Sequence, residues 1–280
     1  MSRTPKSKRT PRQTSKSSLP EKYALYEASV QSPEPHVDLL ERIYKELRGK
    51  PAQRLREDFC GTFALSAEWV KRGGERWALG LDLDPEPLAY GEKNHRRNLT
   101  SDQKRRLVVR RHNVLSVTSP KADIVVAPNF SFFIFKKREE LRRYFEFCRK
   151  ALAKDGVLVL EAAGGPGMAR ACRETKTVQV PKIGKFRYIW HQKKFDPITH
   201  DSLYAIHFEF PDGRKLKDAF TYDWRLWSIP EMREILKEAG FKETAVYWEA
   251  EHKGSGTGEY LRTEGADNPF AWIAQIIGIK

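Results

Sequence analysis

Hydrophobic positions along the chain follow two periods. Between 21 and 49 they recur three and four residues apart, with Leu39, Leu40, Ile43, Tyr44 and Leu47 on one face. That spacing predicts a helix, and Gly49-Lys50-Pro51 ends it. The period then switches back and forth. A strand at 53–59 leads through Cys60-Gly61-Thr62 into a helix at about 63–72, which Gly73-Gly74 stops. Strands follow at Trp77–Leu83, Leu107–Arg111, Asp123–Ala127 and Val157–Ala162, with helices from Pro85 to about Leu99 and at 137–153. Alternating strands and helices predict a parallel sheet covered by helices on both faces.

Residues 180–224 break the alternation. Short aromatic-rich runs at Phe186–Gln192, Tyr204–Phe210 and Ala219–Trp224 read as strands, and Pro211-Asp212-Gly213 as a turn. A helix from near Pro230 to Ala239, capped by Gly240, restores the earlier rhythm, followed by strands at Glu243–Glu249 and Ala271–Ile279. The expected fold is α/β: a doubly wound, mostly parallel seven-stranded sheet with an antiparallel insertion at 166–224, after the fifth strand. The expected domain runs from 21 to 280, behind a disordered tail at 1–20. No internal repeat is visible.

The 280 residues are 40% hydrophobic and 31% charged, enough for a globular core. No run reaches the ~18 apolar residues of a membrane helix, and residues 1–20 hold no secretory apolar region. The expectation is a cytoplasmic protein without a membrane partner. Cys60, Cys148 and Cys172 form neither a disulfide framework nor a C-x-x-C pair, and no H-E-x-x-H occurs, so no metal site is expected. Residues 1–20 hold six basic residues and no acid, leaving +8 of the net +14 to the rest. Such a tail reads as a solvated extension or as a contact with nucleic acid.

Open parallel sheets bind ligands at the carboxyl ends of their strands, so the residues after each strand are the informative ones. After the first strand stands Arg56-Glu57-Asp58-Phe59-Cys60-Gly61-Thr62. Gly61 permits close backbone approach, and the helix behind it offers free N–H groups, with Thr62 a possible cap. After the second stands Asp82-Leu83-Asp84-Pro85. Asp82 lies 21 residues beyond Gly61, near the spacing of nucleotide-binding βαβ units, and Asp84 before Pro85 reads as a helix N-cap. Asn113 and Val114 follow the third strand. Asn113 suits a ligand's hydrogen-bonding edge or an Asx turn. Asn129, Phe130 and Phe132 follow the fourth, as site lining or core.

These segments, in this order, resemble the class I, Rossmann-like methyltransferases that use S-adenosyl-L-methionine (SAM), in particular a bacterial-type group with the Arg-Glu-Asp-Phe-Cys-Gly-Thr run. The resemblance covers about 21–280, with Phe59 and Phe63 replacing two outer glycines of the motif. It implies SAM as cofactor. Glu57, Phe59, Cys60, Gly61 and Thr62 would surround its methionyl half, Asp82 and Leu83 its ribose, Asn113 and Val114 its adenine, and Asn129 its methyl group. It implies a methyltransferase whose acceptor is an unidentified small molecule. An RNA- or protein-directed methyltransferase and a non-catalytic SAM-binding protein are the alternatives. A dehydrogenase would want the full G-x-G-x-x-G. Tyr26, His191, Tyr222 and Arg225 are the acceptor-side candidates, and Tyr23–Glu27 a candidate lid.

A chain beginning at Glu21 is expected to melt within about 2 °C of the full chain, since solvated surface changes stay near 0.5 kcal/mol. A larger drop, read by circular dichroism, would mean that the tail packs on the domain.

Overall fold

The structure is a computed structural model that describes residues 21–252 and 255–280; the expected tail lies outside the described residues. Two helices open it, α1 (Lys22–Val30) and α2 (Pro33–Arg48), where the sequence pattern predicts one helical stretch. Proline has no N–H for a preceding turn and suits only a first turn. The chain therefore extends at Gln31 and restarts at Pro33.

The αβ alternation follows: β1 (Arg54–Asp58), α3 (Ala64–Lys71), β2 (Trp77–Asp82), α4 (Pro85–Asn94), α5 (Ser101–Arg106), β3 (Leu107–Arg111), β4 (Ala122–Ala127), α6 (Arg138–Ala151) and β5 (Leu152–Gly164). Four strands come next, β6 (Cys172–Val180), β7 (Gly184–Phe195), β8 (Asp201–Glu209) and β9 (Lys215–Arg225), then α7 (Ile229–Glu238), β10 (Glu243–His252), β11 (Ser255–Thr263) and β12 (Trp272–Ile279). Strands β6–β9 form a separate antiparallel sheet in chain order.

The central sheet has the order β11-β10-β12-β5-β4-β1-β2-β3. β1 to β5 run parallel, and β12 runs antiparallel between β5 and β10. The expected seven strands become eight. The extra one, β11, pairs antiparallel with β10. Its Ser-Gly-Thr-Gly opening is poor in strand-forming residues, so the pattern hides it. All six residues of β4 are buried, as a strand covered on both faces must be. On one face Leu79, Val125, Leu158 and Ile276 pack with α6 and α7; on the other Leu55, Ile124, Val157 and Ile277 pack with α2 and α3. Leu25 of α1 packs with Phe186, Ile206 and Phe208 of the smaller sheet.

β1 also carries charge inside. Arg56 and Asp58 are buried together, Nε to Oδ1 at 2.7 Å. The guanidinium also donates to the carbonyls of Val117 and, at 2.8 Å, Val114. Asp58 Oδ2 accepts from the Tyr144 hydroxyl of α6 at 3.0 Å. Breaking a buried pair strands the surviving charge and costs about 3–5 kcal/mol. Asp58→Ala is expected to lose that much in urea unfolding. A loss under ~1 kcal/mol would show that the pair does not hold β1 in place.

Candidate functional site

The chain leaves β1 toward β2 and β3 and returns on the other side at β4. The crevice outside the carboxyl ends of β1 and β4 is therefore the switch point where open sheets bind ligands. Six non-glycine residues among those described have positive φ, and four flank this point: Phe59 and Phe63 after β1, Asn129 and Phe130 after β4. Left-handed side-chain-bearing residues persist only where their surroundings over-determine them, and such strain collects at functional sites.

The turn after β1 is laced to the end of β2. The Cys60 N–H donates to the Leu81 carbonyl at 2.9 Å, and the Gly61 N–H to Asp82 Oδ2 at 2.7 Å. Asp82 Oδ1 accepts from the Asp84 N–H at 2.9 Å, and Asp84 caps α4 by accepting from the Glu86 N–H. A carboxylate has about four lone-pair positions, so two remain on Asp82 for a ligand. Leu83 beside it is 58% exposed. Gly91 of α4 lies so close to the turn that a Cβ would stand 2.3 Å from the Thr62 carbonyl oxygen. Thr62 does not cap α3. Its hydroxyl donates to Glu27 of α1 at 2.6 Å, and the same carboxylate oxygen meets His95 Nε2 at 2.7 Å. Cys60 is buried, and burial holds its thiol protonated.

Glu57 points to the face opposite Arg56 and Asp58, because neighbouring strand residues alternate. Its Oε2 accepts from the Ser66 N–H at 2.9 Å and the Ser66 hydroxyl at 2.5 Å. Burial nevertheless raises its pKa to about 8. Glu57 borders a cavity of about 180 Å³ with Asn129, Glu161, Gln31 and His36. Gln31 Oε1 and His36 Nε2 are buried there without a hydrogen-bond partner. The Asn129 N–H donates to Glu161 Oε2 at 2.5 Å. Beyond β3, Asn113 is exposed and its Oδ1 accepts from the Leu115 N–H at 2.9 Å, an Asx turn. Val114 beside it is buried, its carbonyl held by Arg56.

A second cavity, of about 310 Å³, lies under the smaller sheet and is bordered by Phe130, Tyr188, Trp190, Trp248, Trp272 and Glu249. The two cavities adjoin: Asn129 and Glu161 line the first, Phe130 and Ala163 the second. Phe132 is core, fully buried. Alternation along β7 sends Trp190 into this cavity and His191 to the opposite face. There His191 Nδ1 meets His207 Nε2 at 3.1 Å, in a separate cavity with Arg173 and Lys193. Burial lowers the pKa of both imidazoles. Tyr222 stacks on Trp224 at 4.4 Å, and its phenol interacts with that of Tyr26, whose pKa burial raises to about 12. Arg225 stacks 3.8 Å over Trp227 and donates to the Lys136 carbonyl at 3.1 Å, a bracing role. The sequence reading picked out none of Trp190, Trp248 and Trp272. Only the alternation around His191 hinted at the first.

No protein-family model matches the chain, and no curated protein matches it in sequence. Solved structures do match its fold. An amino pentose methyltransferase of Micromonospora echinaspora involved in calicheamicin biosynthesis, solved with SAM bound, shares 17% identity over 93% of this chain and 99% of its own, with a TM-score of 0.65. The fold is that of class I SAM-dependent methyltransferases. DesVI of Streptomyces venezuelae superposes with a TM-score of 0.67 at 18% identity, covering 92% and 96% of the two chains. A sugar N-methyltransferase of Streptoalloteichus covers 99% of each chain at 19% identity and a TM-score of 0.63. No helix among the described residues is long and apolar enough to cross a membrane.

Glu57 generates a pH prediction. Its pKa is raised in the folded state, so the folded protein binds the proton more tightly than the unfolded chain. Its contribution to stability is full below the ordinary value near 4.5 and is lost as pH rises toward about 8. Glu57→Gln is expected to flatten the decline in melting temperature between pH 5 and 8. An unchanged slope would assign that decline to other groups.

Proposed function

We propose that this chain is a SAM-dependent methyltransferase acting on a small molecule. The observation that carries the reading is the meeting of three strand ends at the switch point: Glu57 from β1, Asp82 from β2 and the strained Asn129-Phe130 pair after β4, with the Gly61 N–H bound to Asp82. Neighbours of the same fold described as SAM-bound or as sugar methyltransferases agree with it.

The residues present suit the cofactor. The first cavity pairs carboxylates with unpartnered polar atoms of Gln31 and His36, the complement of a zwitterionic amino-acid end. The remaining lone pairs of Asp82 suit two ribose hydroxyls, and exposed Leu83 offers an apolar face for adenine. Asn113, whose oxygen is committed to a turn after β3, keeps its amide N–H groups as donors. When bound, SAM supplies an already activated methyl group on sulfonium sulfur. The protein therefore needs chiefly to align the acceptor and exclude water. Phe130 and the smaller sheet roof the place where the acceptor would stand, and α1, tied through Glu27 to Thr62 and His95, closes the cofactor side. Tyr26 and Tyr222 join that roof to α1. His191, on the far face of β7, is left out of the acceptor site.

Calorimetric titration with SAM tests the assignment. Asp82→Ala removes charge-assisted bonds of roughly 1.5–3 kcal/mol each, so affinity is expected to fall at least about tenfold. Asp84→Ala removes a helix cap, about 1 kcal/mol of stability, and should spare affinity. Control of affinity by Asp84 alone would overturn the ribose assignment, and no SAM binding by the unaltered protein would overturn the cofactor.

A further inference from the structure

The second cavity has a lining unlike the first. Beside aliphatic Met168 and Ile273 it is lined by aromatic residues drawn from four parts of the chain: Phe130 after β4, Tyr188 and Trp190 on β7, Trp248 on β10 and Trp272 on β12. The ring centroids of Trp248 and Trp272 lie 5.1 Å apart, and Trp190 stands 5.0 Å from Tyr204, which supports it from behind. Gly164 makes room for this arrangement. A Cβ there would stand 2.2 Å from the Trp272 ring, so only glycine lets that indole lie against β5. Glu249 brings one carboxylate to the cavity, held by the Gly258 N–H at 2.9 Å.

Aromatic faces carry negative quadrupole density and attract a cation within about 6 Å of the centroid, tryptophan most strongly. Several such faces beside a carboxylate favour an organic cation. An anionic acceptor meets only repulsion there, and a neutral alcohol gains nothing from the quadrupoles. The volume, about 310 Å³, is at the small end of ligand pockets and suits a small molecule rather than a chain of residues.

We propose that this aromatic cavity is the acceptor site and that its ligand is a small organic amine. The proposal rests on the methyltransferase reading for its methyl donor. The bound ammonium first gives one proton to water; the freed nitrogen lone pair then forms the new C–N bond as the C–S bond breaks, and sulfur keeps the bonding pair. Positive charge thus passes from sulfur to nitrogen, toward the rings. Stabilisation that grows with charge on nitrogen favours the transition state over the neutral amine.

The test uses the full chain and two probes of the same shape, choline and its uncharged carbon isostere 3,3-dimethylbutan-1-ol, followed by tryptophan fluorescence and calorimetry. Choline is expected to bind at least about tenfold more tightly than the isostere. Trp190→Leu and Trp248→Leu are each expected to weaken choline about tenfold or more, with Trp190→Phe recovering part of the loss and SAM affinity unchanged in all three. Equal binding of the two probes, or choline affinity indifferent to both indoles, overturns the amine assignment. Parallel loss of choline and SAM binding in variants that keep the parent melting temperature places the rings in the cofactor pocket instead and also overturns it. Absence of SAM binding in the unaltered protein, with choline binding intact, would strike the methyltransferase reading and leave the cation site standing.

Discussion

The buried Arg56–Asp58 pair is the constraint around which the crevice is arranged. A guanidinium and a carboxylate inside a sheet must find every partner within reach, since each unpaired group is penalised by lost hydration. Here three partners come from two elements: Tyr144 on α6, and the carbonyls of Val114 and Val117 between β3 and β4. One strand thereby positions a helix and the loop that carries Asn113. Because side chains alternate, fixing residues 56 and 58 on one face fixes Glu57 on the other, at the mouth of the polar cavity.

The loops around that mouth are held by geometry as well as charge. Phe59, Phe63 and Phe130 adopt left-handed backbone that phenylalanine disfavours, and Asn129 one that asparagine tolerates. The bonds that hold them run between strand ends: Cys60 to Leu81, Gly61 to Asp82, Asn129 to Glu161. Asp82 therefore braces the glycine turn and the start of α4 while keeping acceptor capacity in reserve. The two backbone donors occupy only part of what a carboxylate can accept.

The smaller sheet and α1 complete the enclosure. Neither belongs to the parallel core, yet they pack on each other through Leu25, Phe186, Ile206 and Phe208 and meet again at Tyr26 and Tyr222. Both cavities lie beside the same 128–130 loop, and their linings differ: carboxyl groups on one side, indoles on the other.

Local signals in the sequence determined much of this. The change of period predicts β1 to β5 and the helices α3, α4 and α6, Gly49 ends α2, and the 21-residue step from Gly61 to Asp82 brings those two together because one βαβ unit has nearly constant length. What tertiary structure alone decided lies where the determining contacts are non-local. The eighth strand forms because β10 presents an edge to pair with, despite glycines in Ser255–Thr263. Trp190 rather than His191 faces the core because the face of β7 that meets it is set by its register with β6 and β8. Trp248 and Trp272 line one cavity with Trp190 across more than fifty residues of chain, and the Val114 and Val117 carbonyls that Arg56 meets are equally remote from it. No periodicity within one segment records such meetings. They are fixed only when separate strands pair and their alternating faces are chosen together.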